Sequence, residues 1–141
     1  MRSFIVDQTT VLRSAETLRF YCHAVAASSG WWTERDTGRN LTARYDPRQP
    51  YNGRNIGELL CLVHSEISEA MEGARKGLMD DHLPDRPMLE VELADAVIRI
   101  MDMAGGLGLD VAGAIAAKLA YNQSRADHKP EARAAAGGKA F

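Results

Sequence analysis

Between Pro87 and Leu107 the chain reads MLEVELADAVIRIMDMAGG, a stretch that is apolar on nearly every side when wound as a helix yet carries several acids. At about 100° per residue, Leu89, Leu93, Val97, Ile100, Ala104 and Leu107 form one stripe, and Val91, Ala94, Ile98 and Met101 cover most of the rest. A helix apolar nearly all round is a buried helix. Glu92, Asp95 and Asp102 nevertheless share one narrow sector of it with Arg99. Carboxylates on a buried helix are costly unless they are paired or bound to a cation, and Arg99 neutralises at most one or two of them.

The rest of the chain reads as helices of the same kind. Val11, Ala15, Leu18, Cys22 and Val25 make one helical stripe, predicting a first helix from about Thr9 to Ala27, stopped by Ser28-Ser29-Gly30. Ile56, Leu60, Val63, Ile67, Ala70 and Ala74 mark a second, from about Gly53 to Lys76, closed by Gly77. The third starts near Pro87 and ends in GGLG. Asp110 caps a fourth that reaches roughly Asp127. No alternating apolar pattern argues for strands, so the expected fold is all-α, with four main helices. One domain should span residues 1–128, with 129–141 a loosely ordered tail. Trp31 to Asn52 is a long connection without periodicity, and such a segment usually binds something or is disordered.

The second helix supplies an acidic edge to match the third. Glu66 and Glu69 are neighbours on one face, and Glu66 borders the apolar stripe. If the short Pro-rich link makes helices two and three an antiparallel pair, their acidic edges can face each other. Four converging carboxylates repel one another strongly. A hard divalent ion relieves that, and oxygen-only ligands favour Mg²⁺, with Mn²⁺ as a substitute, over zinc. His64 and His82 come with no HExxH motif or thiolate set, and no ExxH supports a ferritin-like di-iron site.

Composition narrows the remaining classes. A length of 141 residues suits one domain with a proper core, and a net charge of −2 offers no reason to expect a duplex nucleic acid partner. No apolar run approaches bilayer length, and MRSFIVDQTT turns polar too early for a secretory signal. Cys22 and Cys61 read as free thiols in a reducing cytoplasm.

Glu66-Ile-Ser-Glu69, then Glu92-Leu-Ala-Asp95, then Lys118 with Asn122 and Arg125 resemble the MazG-like, all-α nucleotide pyrophosphohydrolases, which include the dCTP pyrophosphatases. The resemblance covers about residues 20–127 and extends to RNIGELL ahead of the first pair. It implies a four-helix MazG-like bundle in which Glu66, Glu69, Glu92 and Asp95 bind Mg²⁺ and form the catalytic set. Lys118, Asn122 and Arg125, which fall on one face of helix four, would hold phosphates. His23 and Trp32 are similar to the His and Trp that contact the base. Two positions depart from the pattern: Ser65 stands where many members have Glu, and Arg99 where dCTP-like members tend to have an aromatic, which bears on base and sugar specificity.

The expected function is therefore Mg²⁺-dependent hydrolysis of (deoxy)nucleoside triphosphates to the monophosphate and pyrophosphate, in nucleotide-pool cleaning. Glu69 is the candidate general base. Trp32, nine residues after His23, should fold back over the first helix and stack on the base, while Trp31 contributes stability. A phosphoribosyl-ATP pyrophosphohydrolase-like enzyme and a non-catalytic helical interaction module are the alternatives. The expected partners are the nucleotide and further copies of the chain, since helix three has more apolar surface than one protomer covers; a homodimer or dimer of dimers follows. The expected location is cytoplasmic, with no membrane partner.

Overall fold

The computed structural model describes residues 5–49 and 53–136. The end of the long connection (50–52) and the last residues of the tail (137–141) lie outside them. The described residues are all-helical: α1 (Gln8–Ser28), α2 (Ile56–Lys76), α3 (Met88–Gly106), α4 (Val111–Ser124) and a short α5 (Pro130–Ala134), with a 3₁₀ turn at Ala126–His128. Only two isolated antiparallel bridges occur among them, Thr33–Asn40 and Met79–Pro87, and no strand. No single described helix is long and apolar enough to cross a membrane.

Local chemistry sets the helix ends. The Asn55 side chain accepts hydrogen bonds from the Gly57 and Glu58 N–H groups, so α2 begins at Ile56 rather than at Gly53. Gly77 closes it in the left-handed conformation, at φ 63°. Asp110 caps α4 through the Gly113 N–H. That helix stops at Ser124, short of the expected Asp127, because Arg125 turns to an extended conformation. The region read as a loose tail contains the single turn of α5.

The chain gathers into two compact units. One comprises Met1–Thr17 and Asp110–Phe141. In it Asp7 caps α1, its Oδ1 accepting from the Thr9 and Thr10 N–H groups, and the Val6 N–H reaches the Gln123 side chain at 3.3 Å. The other is Leu18–Leu109 and carries α2 and α3 packed along each other. Their contacts run in opposite order, which makes the pair antiparallel: Gly73, late in α2, lies against Met88 at the start of α3, whereas Leu59, early in α2, packs with Leu107 just past its end.

Trp32, Leu59 and Leu107 form the centre of this unit, with Ala26, Leu41 and Met103 among the side chains around them. The Trp31–Asn52 connection is tied to it: the Leu41 N–H bonds the Trp32 carbonyl, and the N–H groups of Ala43 and Tyr45 bond the carbonyls of Gly106 and Leu107. The expectation of an all-round buried α3 holds only in part. Ala96, Met101 and Ala104 are buried, but Leu89, Leu93 and Val97 keep 39%, 46% and 42% of their surface exposed. Within this unit α2 is the helix packed along α3.

Candidate metal centre and pocket

The α2–α3 pairing brings acids together as their spacing predicts. Carboxylate oxygens of Glu66, Glu69 and Glu92 lie within 4.8 Å of one another. Glu66 and Glu92 are buried and Glu69 is exposed. Asp95 stands outside that trio, about one turn along α3, half-buried. Burial, then the hydrogen bond with Glu66 and the charges of Glu69, Glu66 and Asp95, push the Glu92 carboxyl up to about 7. Burial and the Glu66 charge also raise Asp95, against the opposing pull of Arg99. Negative charge at this site thus exceeds what the neighbouring cation compensates.

That cation is Arg99, whose Nε donates to Glu66 Oε1 at 2.5 Å. The sequence places Arg99 in the acidic sector of α3, and the structure assigns its partner on α2. Ser65, at the position where many MazG-like members have Glu, is only weakly engaged with the cluster: its hydroxyl donates to the Leu62 carbonyl at 2.7 Å and approaches Glu66 at 3.5 Å. His64 and His82 are both exposed.

A pocket of about 760 Å³ has Asp95 on its wall, together with Arg99, the partner of Glu66; Glu66, Glu69 and Glu92 do not line it. Asp95, Ile98, Arg99 and Asp102 line it from successive turns of α3, and Trp31 and the Arg54–Glu58 pair line it too. Its walls are otherwise mainly aliphatic and aromatic, including Leu59 and Val25. An apolar cleft with a few convergent polar groups is the usual form of a small-molecule site.

The two residues expected to touch a base stand behind this pocket. Trp32 does fold back onto His23, their rings edge to face with centroids 5.4 Å apart. Both are tied to the same acceptor: Trp32 Nε1 donates to Asp102 Oδ1 at 2.7 Å, and His23 Nδ1 meets that oxygen at 2.9 Å. Yet Trp32 is only 2% exposed and belongs to the core, whereas Trp31 is 63% exposed and lines the pocket. The structure thus places Trp32, expected against the base, in the core, and Trp31, expected to contribute stability, on the pocket wall. The physical reason lies in Gly105 and Gly106. A Cβ at Gly106 would collide with the Trp32 ring and one at Gly105 with His23, so the last turn of α3 is open to these two rings. Read from the sequence as helix-stopping residues, both glycines are in the helix.

Lys118, Asn122 and Arg125 belong to the other unit. Lys118 and Asn122 share a face of α4, with Lys118 Nζ 4.7 Å from the centre of the Tyr121 ring. Asn122 Oδ1 is buried and has no hydrogen-bond partner among the described residues. Arg125 lies past the end of α4 and is engaged by Asp127 through two bonds, 2.9 and 2.5 Å long. The single helical face expected for all three is thus corrected to two residues, because the backbone leaves the helix at Arg125. Asp102 was legible as a member of the acidic sector, but no local pattern announced its bonds to residues on α1 and the following loop.

No family model matches the chain, and no curated protein or solved structure matches it.

Proposed function

We propose that this protein is a Mg²⁺-dependent pyrophosphohydrolase of nucleoside triphosphates, of the MazG-like kind that its acidic motifs resemble. The observation that carries the reading is the Glu66–Glu69–Glu92 trio, its oxygens within 4.8 Å, with Asp95 one turn on lining a largely apolar pocket that has an exposed indole on its wall. The donors are all oxygen and their charge is under-compensated, which suits a hard divalent cation, Mg²⁺ or Mn²⁺.

In this reading Glu66, Glu69 and Glu92 hold the ion, with Asp95 completing the set. The bound ion would neutralise phosphate oxygens and make a water more acidic. Trp31 stacks on the base and fixes the nucleotide's direction. Glu69, the exposed member of the trio, takes the proton from the attacking water. The water oxygen bonds the α-phosphorus, the bond from that phosphorus to the α–β bridging oxygen breaks, and pyrophosphate leaves. Lys118, Asn122 and Arg125 are assigned phosphate oxygens on their chemistry alone, Arg125 after release from Asp127. The acting species is a homodimer or dimer of dimers.

The test is product analysis over all common NTPs and dNTPs with Mg²⁺. The expected products are pyrophosphate and the monophosphate, lost in Glu92→Gln/Asp95→Asn. Diphosphate with orthophosphate would overturn the mechanism. No turnover of any nucleotide would return the chain to the class of helical interaction modules.

A further inference from the structure

Asp102 has no part in the reaction just described, yet two side chains hold its carboxylate at the pocket wall. Its carboxylate is only 16% exposed, and Oδ1 alone takes both hydrogen bonds, from the Trp32 indole at 2.7 Å and the His23 ring at 2.9 Å. Those donors reach it from α1 and from the loop after it, across two glycines whose lack of a side chain admits their rings. Among the described residues Oδ2 has no hydrogen-bond partner, and Asp102 lines the pocket. An ionised carboxylate is acceptor-only. The site therefore presents a fixed acceptor with one oxygen left to use, on the helix face that also carries Asp95 at the metal end.

We propose that Asp102 is the base-reading residue of this site and selects bases with an exocyclic amino group, His23 and Trp32 being the positioning residues that aim it. The inference rests on the nucleotide reading above and names its substrate class. Cytosine and adenine each offer an amino N–H beside a ring nitrogen acceptor; uracil and hypoxanthine offer a carbonyl oxygen at the same place. A carboxylate oxygen accepts from the first kind and repels the second. Arg99, one turn earlier on α3 and also lining the pocket, supplies donors for the adjacent acceptor atoms. Discrimination by a buried polar group is strong because the wrong base leaves that group desolvated and unpaired.

The test uses deoxynucleoside monophosphates, which bind without pyrophosphate chemistry, compared in pairs that differ at this one group. The full chain is titrated with dCMP against dUMP and dAMP against dIMP by calorimetry. Each amino base should bind at least about tenfold more tightly than its carbonyl partner, the scale of one hydrogen bond to a charged group. Asp102→Asn keeps an oxygen for Trp32 and turns an amide donor toward the pocket, so the ratio within each pair should collapse or invert. Trp32→Phe retains the core ring and removes only the indole N–H. It should shrink the ratio while leaving the Mg²⁺-induced rise in melting temperature unchanged; a merely structural Trp32 would weaken both members of a pair alike. Equal affinities within both pairs in the wild-type chain overturn the proposal, whether or not any variant folds. Pyrophosphate release from dCTP and dUTP at equal kcat/KM would also sink it while the proposed reaction stands. Amino-selective binding with no pyrophosphate release from any nucleotide would instead uphold the role of Asp102 and overturn the proposed reaction.

Discussion

At the scale of single residues, adjacent side chains have opposite environments, and substitutions should separate them. Trp32, 2% exposed, is a centre of the core, so Trp32→Ala should cost about 3–5 kcal/mol of stability, measured by denaturant unfolding. Trp31→Ala should leave stability nearly unchanged and lower nucleotide affinity by about 1–3 kcal/mol. Equal destabilisation by both would return Trp31 to the core. Arg99 offers a second separation. Its Nε, 2.5 Å from Glu66, is the cation already present among the carboxylates. Arg99→Met removes it and leaves buried Glu66 without that partner, so the metal-free melting temperature should fall. The Mg²⁺-induced rise should grow, because a divalent ion no longer competes with the guanidinium. A variant whose Mg²⁺ response matches the parent would mean that Arg99 and the metal do not share Glu66.

At the scale of helices, the α2–α3 pair makes the site, and its chemistry should appear as a pH dependence. The Glu92 carboxyl is pushed up to about 7 from its ordinary 4.5. Between those values the folded chain keeps a proton that the unfolded chain has released, so raising the pH favours unfolding. The metal-free melting temperature should therefore fall as pH rises from 4.5 to 7, and Glu92→Gln should flatten that slope. Metal ligation needs the carboxylate, so the Mg²⁺-induced rise should grow through the same interval. A parent and variant with superimposable pH profiles would remove Glu92 from the site. Much of this pair was legible in the sequence. Its helices follow from four- and three-residue apolar steps, and ExxE facing ExxD follows once the link is short enough for an antiparallel return. Which side chains are buried at these contacts was not legible. Trp31 and Trp32 follow a helix end at Ser28, and which of them turns inward is decided by Gly106, far away in sequence. Arg125 continues an apparent helical face in one dimension, while its backbone leaves the helix and its guanidinium goes to Asp127.

At the scale of the whole molecule, the apolar residues left outside are the feature that one chain does not account for. Leu89, Leu93 and Val97 recur every four residues along α3, and each keeps more than a third of its surface exposed. Leu60, Ile67 and Met71 show a similar surplus on α2, at 47%, 47% and 59%. Large contiguous apolar patches are uncommon on monomers, and stable interfaces bury about 800 Å² per partner, so the exposed stripes of both helices are the natural surface for self-association. The proposed homodimer or dimer of dimers would cover these stripes, and in a symmetric pair each stripe meets surface from the same helices of the other copy. Sedimentation equilibrium should then return twice or four times the 15.4 kDa chain mass, with a melting temperature that rises with protein concentration. Leu93→Arg with Val97→Arg places two cations on the α3 stripe without touching the buried Ala96 or Glu92. The double variant should sediment as a folded monomer, keep its helical circular dichroism and lose the concentration dependence. A wild-type chain that sediments at the monomer mass throughout the micromolar range would mean that these stripes are tolerated in water. An oligomer unchanged by the double variant would instead move the contact to the α2 side, where Ile67→Arg with Met71→Arg provides the corresponding test.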